Sequence, residues 1–402
     1  MPTKLEPRPM TSLAITNGRV LLEDGSLEAA PVRIEGAGIA AVGGPGRAER
    51  TIDATGLLVL PGIVDLHGDA FERQLQPRPG VDFPAPLALR DTEAQLLASG
   101  VTTALHAITL SWEPGLRSPV TWRHMLDAID ALRPDMVCDM RVHMRWELHN
   151  LDALEIALED IEAGRVHLLS FNDHTPAILR KLDEPTTAAK YSERAGMSVA
   201  EFRALAEHAF AHDQAVAEAA ACLAAAARER GLPIASHDDD SVAVRDRYRA
   251  LGARICEFPM AEEVAVAARG AGDAVVMGCP NVVRGRSHLG WSSAAALAER
   301  DVCTVLCSDY YYPAMLPAAL ALAGGPLGLA RAWALVSANP AEAAGLRDRG
   351  RIGVGKRADL VLVDPHGPRV VATIAAGRVG FMSGAGWART EPAPAGPVSA
   401  LA

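Results

Sequence analysis

Eight short apolar runs, each followed by a longer alanine- and leucine-rich stretch, constrain the fold of this chain more than any other feature. The runs are Val59 to Leu66, Thr102 to Ile108, Asp139 to Trp146, Val166 to Phe171, Pro233 to Ser236, Arg254 to Phe258, Ala274 to Gly278, and Cys303 to Cys307. Short apolar runs bounded by turn residues read as buried strands, and the stretches between them carry helical periodicity. Alternating β and α units imply a parallel sheet with helices outside it, and eight such units imply a (β/α)8 TIM-type barrel. A doubly wound open sheet is the other arrangement of such units, but no Gly-rich dinucleotide fingerprint follows the first run.

The two ends of the chain read differently. From Ser12 to Thr55, and again in RIGVGKRADLVLVDP and RVVATIAAGRVG, short β runs are broken by Gly and Asp. These predict one small β-sandwich-like domain built from both ends, residues 1–58 plus 349–388, around a barrel of residues 59–348. An Ala-, Pro- and Gly-rich flexible tail follows at 389–402.

Charge and cysteine usage exclude several function classes. A net charge of −10 argues against a nucleic-acid partner. No apolar run approaches the ~20 residues that span a bilayer, so no membrane role is expected. The N-terminal segment lacks a basic region, apolar core and cleavage site, which makes the cytoplasm the expected compartment. The six cysteines form no C-x-x-C pair and read as buried free thiols.

In a barrel of this kind chemistry sits at the C-terminal ends of the strands, so the residues just past each run are the informative ones. The first run lies within LPGIVDLHGDAFERQLQPRPGVDFP, Leu60 to Pro84, and ends in His67, Gly68 and Asp69. Two residues apart on an extended chain, His67 and Asp69 share one side and can grip one cation; the plain alternative is a surface His and an Asp in a turn. Glu147 follows the third run, Asn172, Asp173 and His174 the fourth, and His237 and Asp238 the fifth. Glu257 ends the sixth, Asn281 and Arg284 follow the seventh, and Asp309 follows the eighth. Ligand-type residues at this many strand ends predict a metal centre. Its candidate ligands are His67, Asp69, Glu147, His174, His237 and Asp309, a mixed imidazole and carboxylate set suited to two divalent ions, Zn first and Mn or Fe otherwise. Asp309 is also the candidate proton acceptor from the attacking water; a helix cap before Tyr310 is its bland alternative. Glu147 could instead pair with Arg145 or Arg141, and His143 and His149 read as scaffold.

With these motifs the chain resembles the amidohydrolase superfamily of metal-dependent hydrolases. The resemblance rests on Pro61-Gly62-x-x-Asp65-x-His67, a His after strand five, an Asp after strand eight, SANPAEAAGL from Ser337, and GVGKRADLVLVD from Gly353. The chain departs from the His-x-His usual after strand one, since Asp69 stands at the second position, and no lysine is available on strand four. HGDAFERQLQPRPGVDFP, RWELH, SHDDD, EFP at Glu257 and CPNVVRGRSHLGW are similar to the superfamily's ribose-triphosphate diphosphatases of phosphonate metabolism. That resemblance implies hydrolysis of a phosphoanhydride, from α-D-ribose 1-methylphosphonate 5-triphosphate to the 5-phosphate and pyrophosphate. The second class of reaction is hydrolysis of a cyclic amide or deamination of a ring, with the same ligands.

A phosphorylated small-molecule substrate needs cations and amides aimed at its oxygens. Arg73 and Arg78 follow the first ligands, and Arg284, Ser287 and His288 lie on the seventh loop, where barrels often cradle phosphate. Asn281 and Glu257 join them as substrate-side candidates. The segment from Asn172 to Met197, with Lys190 and Tyr191, reads as a loop over the mouth that closes on a polyphosphate. Pairing into a homodimer is an expectation from the relatives.

Overall fold

The computed structural model describes residues 12–44, 48–285 and 293–392. Its centre is an eight-stranded parallel sheet in sequence order: β1 (Ile63–Gly68), β2 (Val101–Leu110), β3 (Asp139–Glu147), β4 (Leu168–Asn172), β5 (Ile234–His237), β6 (Ile255–Glu257), β7 (Ala274–Gly278) and β8 (Val305–Cys307). A parallel bridge between Gly68 and Asp309 joins the two edges, with the Asp309 amide donating to the His67 carbonyl and the Asp69 amide to the Asp309 carbonyl, both at 2.9 Å. The eight runs predicted from sequence are the eight barrel strands.

The first run needs one correction. It divides into two strands: Leu58–Pro61 pairs antiparallel with Leu360–Asp364 in a separate sheet, and the barrel strand starts only at Ile63. Gly62 is the hinge. A Cβ there would lie 2.3 Å from Thr102 Oγ1, so only glycine lets the chain pass β2 this closely. Apolar text continues across the junction because both strands are buried, and periodicity alone cannot mark the change of sheet.

Two further sheets come from the chain ends. One has the order Thr390–Pro392, Arg50–Asp53, Ser12–Thr16, Val32–Glu35, Gly38–Val42. The other runs Arg378–Met382, Arg369–Ala375, Leu360–Asp364, Leu58–Pro61, Arg19–Leu21, Leu27–Ala29. They share a core that includes Ile15, Ile34, Val59, Leu360 and Ile374. The strand Thr390–Pro392 pairs with Arg50–Asp53, so the tail expected from residue 389 begins with a sheet edge. Its sequence hid this because Glu-Pro is a poor strand signal, tolerated only at an edge.

Strand β3 shows how the sequence builds the interior. In DMRVHMRWE the even-numbered Met140, Val142, Met144 and Trp146 join the main apolar core. The odd-numbered residues turn inward, where Asp139 meets Arg349 at 2.6 Å and Glu147 meets His174 at 3.2 Å. An apolar layer that includes Leu66, Leu105, Leu168, Ala235, Ile255, Val276 and Val305 fills the barrel below the polar end.

The segment predicted as a loop over the mouth is helical. It forms helices α1 (Thr175–Lys181), α2 (Pro185–Ala195) and α3 (Val199–Phe210), with prolines in the first turns of α1 and α2 and a Ser198/Glu201 capping box starting α3. Ile178, Leu182, Ala188, Phe202 and Ala206 give these helices a core of their own. Five cysteines are buried and free, whereas Cys222 is exposed on the helix Asp213–Glu229. No helix among the described residues is long and apolar enough to cross a membrane.

Candidate metal centre

Glu257, completely buried at the end of β6, organises the inner half of the site. Its Oε1 lies 3.1 Å from His67 Nδ1, and its Oε2 lies 3.1 Å from Ser170 Oγ, 3.4 Å from His237 Nδ1 and 3.6 Å from His143 Nε2. A carboxylate bonded to Nδ1 of two imidazoles fixes both tautomers and puts both lone pairs on Nε2. The His67 and His237 rings lie nearly parallel, 5.2 Å apart. Burial, and then the Arg145 charge, hold both far below the ordinary histidine range, the neutral state a metal ligand needs. Glu257, a substrate-side candidate from sequence, is therefore placed beneath two candidate ligands.

Glu147 closes β3. Its Oε1 accepts from Thr175 N at 3.0 Å, Thr175 Oγ1 at 2.7 Å and His174 N at 3.1 Å, and its Oε2 lies 3.2 Å from His174 Nδ1. Burial would raise this carboxyl, but His174 and Thr175 outweigh it and hold it low. Neither arginine that sequence offered as its partner takes that role: Arg141 bonds Asp139 at 3.0 Å, and Arg145 turns to other groups. His174 Nε2 faces Asp238 at 3.7 Å, and Asp238 is also 3.7 Å from His237 Nε2. Burial opposes charge on His174, yet Asp238 and Glu147 raise its pKa to about 9.

Asp309 sits on the barrel seam with a positive φ of 55°. Its carboxylate lies against Gly278, where a Cβ would be 2.8 Å from Oδ2, so glycine at the end of β7 makes its space. Burial, then the neighbouring Asp69, push its pKa up to about 8. Asp69 is itself raised to about 6 by burial and then Glu72. The structure thus gathers His67, Asp69, Glu147, His174, His237 and Asp309 at one end of the barrel, with His143, Asp238 and Glu257.

Two residues in this ring were not among the six candidate ligands. Asp238, named after the fifth run, lies between His174 and His237. Arg145 is 5 % exposed, with Nη2 3.0 Å from His237 Nε2 and Nη1 3.5 Å from Asp69 Oδ2. The Asn172 amide, turned so that its oxygen faces the guanidinium, accepts from Arg145 Nε at 3.2 Å and Nη2 at 3.3 Å. Alternation along β3 carried the signal for Arg145, since His143 and Glu147 flank it on the same face.

The substrate-side candidates divide. Arg73 lies over the Tyr310 ring, 6.0 Å from its centroid, and Arg284 Nη1 is 3.4 Å from Tyr310 Oη. Two guanidinium groups thus meet at the residue next to Asp309. Arg78 is exposed, in a short bridge with Val81. Asn281 Oδ1 accepts from the Ala294 amide. Lys190 is exposed, while Tyr191 stacks on Phe202 at 5.4 Å and Arg194 lies 5.2 Å from its ring centroid, so its ring packs within the helical segment. Ser287 and His288 lie outside the described residues.

Imidazole nitrogens and carboxylate oxygens converge in three groups: His67, His237 and Glu257; His174, His237 and Asp238; Glu147, His149 and Asp173. This hard-to-borderline donor set fits a divalent cation. At pH 7 Asp309 and His174 carry protons that a bound ion must displace. Binding should therefore release about two protons per ion when both are ligands, and about one when His174 is not. Calorimetry in buffers of different ionisation enthalpy measures the number. The sign for stability follows. Asp309 and His174 have folded pKa values, about 8 and about 9, above their ordinary 3.8 and 6.5. The stability each contributes is lost as pH rises through the folded value. Between pH 7 and 9 the metal-free chain should lose stability, and a loaded chain should not.

The amidohydrolase family model matches residues 58–382. The chain is 35% identical over 326 residues, 79% of its length and 85% of the relative's, to the α-D-ribose 1-methylphosphonate 5-triphosphate diphosphatase of Escherichia coli (strain K12). Among solved structures, an amidohydrolase from an environmental sample of the Sargasso Sea superposes with a TM-score of 0.63 at 19% identity, covering 92% of this chain and 93% of that one. The N-acetylglucosamine-6-phosphate deacetylase of Pasteurella multocida gives 0.61 at 13% identity, over 92% and 99%. These likenesses to solved structures are likenesses of fold.

Proposed function

We propose, because the chain belongs to the amidohydrolase family and is a metal-dependent hydrolase, that it cleaves a phosphoanhydride of a ribose 5-triphosphate bearing a phosphonate at C1, releasing pyrophosphate. The observation that carries this reading is the meeting of Arg73 and Arg284 at Tyr310, beside Asp309. Two guanidinium groups next to the proposed proton acceptor suit a polyphosphate and are surplus to a small neutral ring. The similarity to the Escherichia coli diphosphatase supports the same substrate class.

A divalent ion drawing its ligands from among His67, Asp69, Glu147, His174, His237 and Asp309 would acidify water and polarise the phosphoryl oxygens. The residues do the rest. Asp309, deprotonated, accepts the proton of the attacking water as the new O–P bond forms and the anhydride O–P bond breaks. Glu257 keeps the His67 and His237 rings fixed through this step. Arg73 and Arg284 hold the departing pyrophosphate as negative charge gathers on the oxygen that had joined it to the attacked phosphorus. Helices α1 to α3 follow directly on His174.

A panel scoring pyrophosphate release against ammonia release tests the reading. Pyrophosphate is expected from the ribose triphosphate; turnover of a cyclic amide with no pyrophosphate from the triphosphate would overturn it and favour C–N hydrolysis. Arg73→Met and Arg284→Met should each raise KM for the triphosphate about 10- to 100-fold, the worth of a charge-assisted hydrogen bond. Initial-rate kinetics on the folded variants check this.

A further inference from the structure

We infer that Arg145 occupies one of the two cation positions that the ligand ring could serve, so that the centre takes a single divalent ion beside a built-in guanidinium. The inference rests on the metal-dependent reading and concerns the number of ions.

Arg145 comes from the C-terminal end of the inward face of β3, between His143 and Glu147, and is almost fully buried. Its three nitrogens are directed at the site. Nη2 reaches His237 Nε2 at 3.0 Å, Nη1 approaches Asp69 Oδ2 at 3.5 Å, and Nε with Nη2 is accepted by the Asn172 oxygen at 3.2 and 3.3 Å. His237 and Asp69 are two of the six candidate ligands. His237 directs Nδ1 to Glu257 at 3.4 Å, so its Nε2 is the lone pair it has to give, and the guanidinium takes it. An arginine cannot lose its charge here. It draws on an imidazole lone pair and a carboxylate oxygen, the two donor types a divalent ion would use.

The supply of donors points the same way. A divalent ion in this second position would need the His237 Nε2 lone pair and the Asp69 oxygen that Arg145 already faces. A second ion would have to displace Arg145 from His237 and Asp69 and leave the guanidinium buried without partners. One ion leaves its hydrogen bonds intact.

Metal content decides it. The full chain, produced with Mn or Zn in the medium and dialysed against metal-free buffer, is expected to retain one ion per chain by elemental mass spectrometry. Arg145→Lys keeps the charge and should also retain one. Arg145→Met frees His237 and Asp69 and should retain two, with a spin-coupled Mn pair in electron paramagnetic resonance where the parent shows an isolated ion. Two ions per parent chain would overturn the inference without recourse to any variant, and so would a folded Arg145→Met chain that holds only one. The pyrophosphate panel addresses the substrate separately, so either reading can fail while the other stands.

Discussion

Asp309→Asn is expected to lower kcat by about 10²- to 10⁴-fold, the usual worth of a positioned general base. The amide is nearly isosteric with the carboxyl, so the fit against Gly278 and the backbone bonds to His67 and Asp69 should survive. The carboxylate was already costly: burial and Asp69 push its pKa to about 8. Removing the charge should therefore leave the metal-free chain as stable as the parent, or more stable, at pH 8 and above. Steady-state kinetics at matched metal content, with thermal unfolding beside it, give both readouts. A variant with near-parental kcat would show that the proton goes elsewhere.

The second large effect is on stability, and it sits behind the site. Arg245 is completely buried and ties the ends of β5 and β6 together. Its Nη1 lies 3.2 Å from Asp239 and 2.5 Å from Ser236 Oγ, its Nε 3.3 Å from Asp273, and its Nη2 2.5 Å from the Ala253 carbonyl. Arg245→Met leaves Asp239 without its arginine and weakens the pairing of Asp273 inside the fold, a change that costs about 3–5 kcal/mol in comparable networks. Denaturant unfolding should show the loss, and adding Asp239→Asn should recover part of it, because the two residues touch and their effects are not additive. Asp239 lies two residues beyond His237. The same variant should thus weaken metal retention, and its absence would separate this network from the site.

How much of this could be read from the sequence depended on whether a signal was local. Strand β3 was legible because its apolar and polar residues alternate, and the eight strand ends were legible because His, Asp and Glu stand in otherwise apolar text. Gly62 was not. Only the proximity of Thr102, forty residues on in the chain, makes it the hinge between two sheets. Helices α1 to α3 escaped because their polar, alanine-rich text carries little apolar periodicity until Phe202 and Ile178 pack together. Tyr191 was read as facing a ligand when its ring instead lies against Phe202. Arg145 lay on a correctly predicted strand and face, yet its role depended on where His237, about ninety residues away, directs its Nε2. Local pattern names the residues at a site; which of them touch is decided by the barrel's closure.

The seam between β1 and β8 gives that closure a meaning in time. Asp65 accepts from the Ser308 amide at 2.9 Å and from its hydroxyl at 2.5 Å, across 243 residues of chain, one step before the Asp309 bridge to Gly68. As the ribosome extrudes this chain, His67 and Asp69 emerge early and wait for the last barrel strand. On the proposed assignment, a nascent chain with His67 and Asp69 but without Asp309 lacks its proton acceptor, and turnover should begin only with the final closing of the barrel.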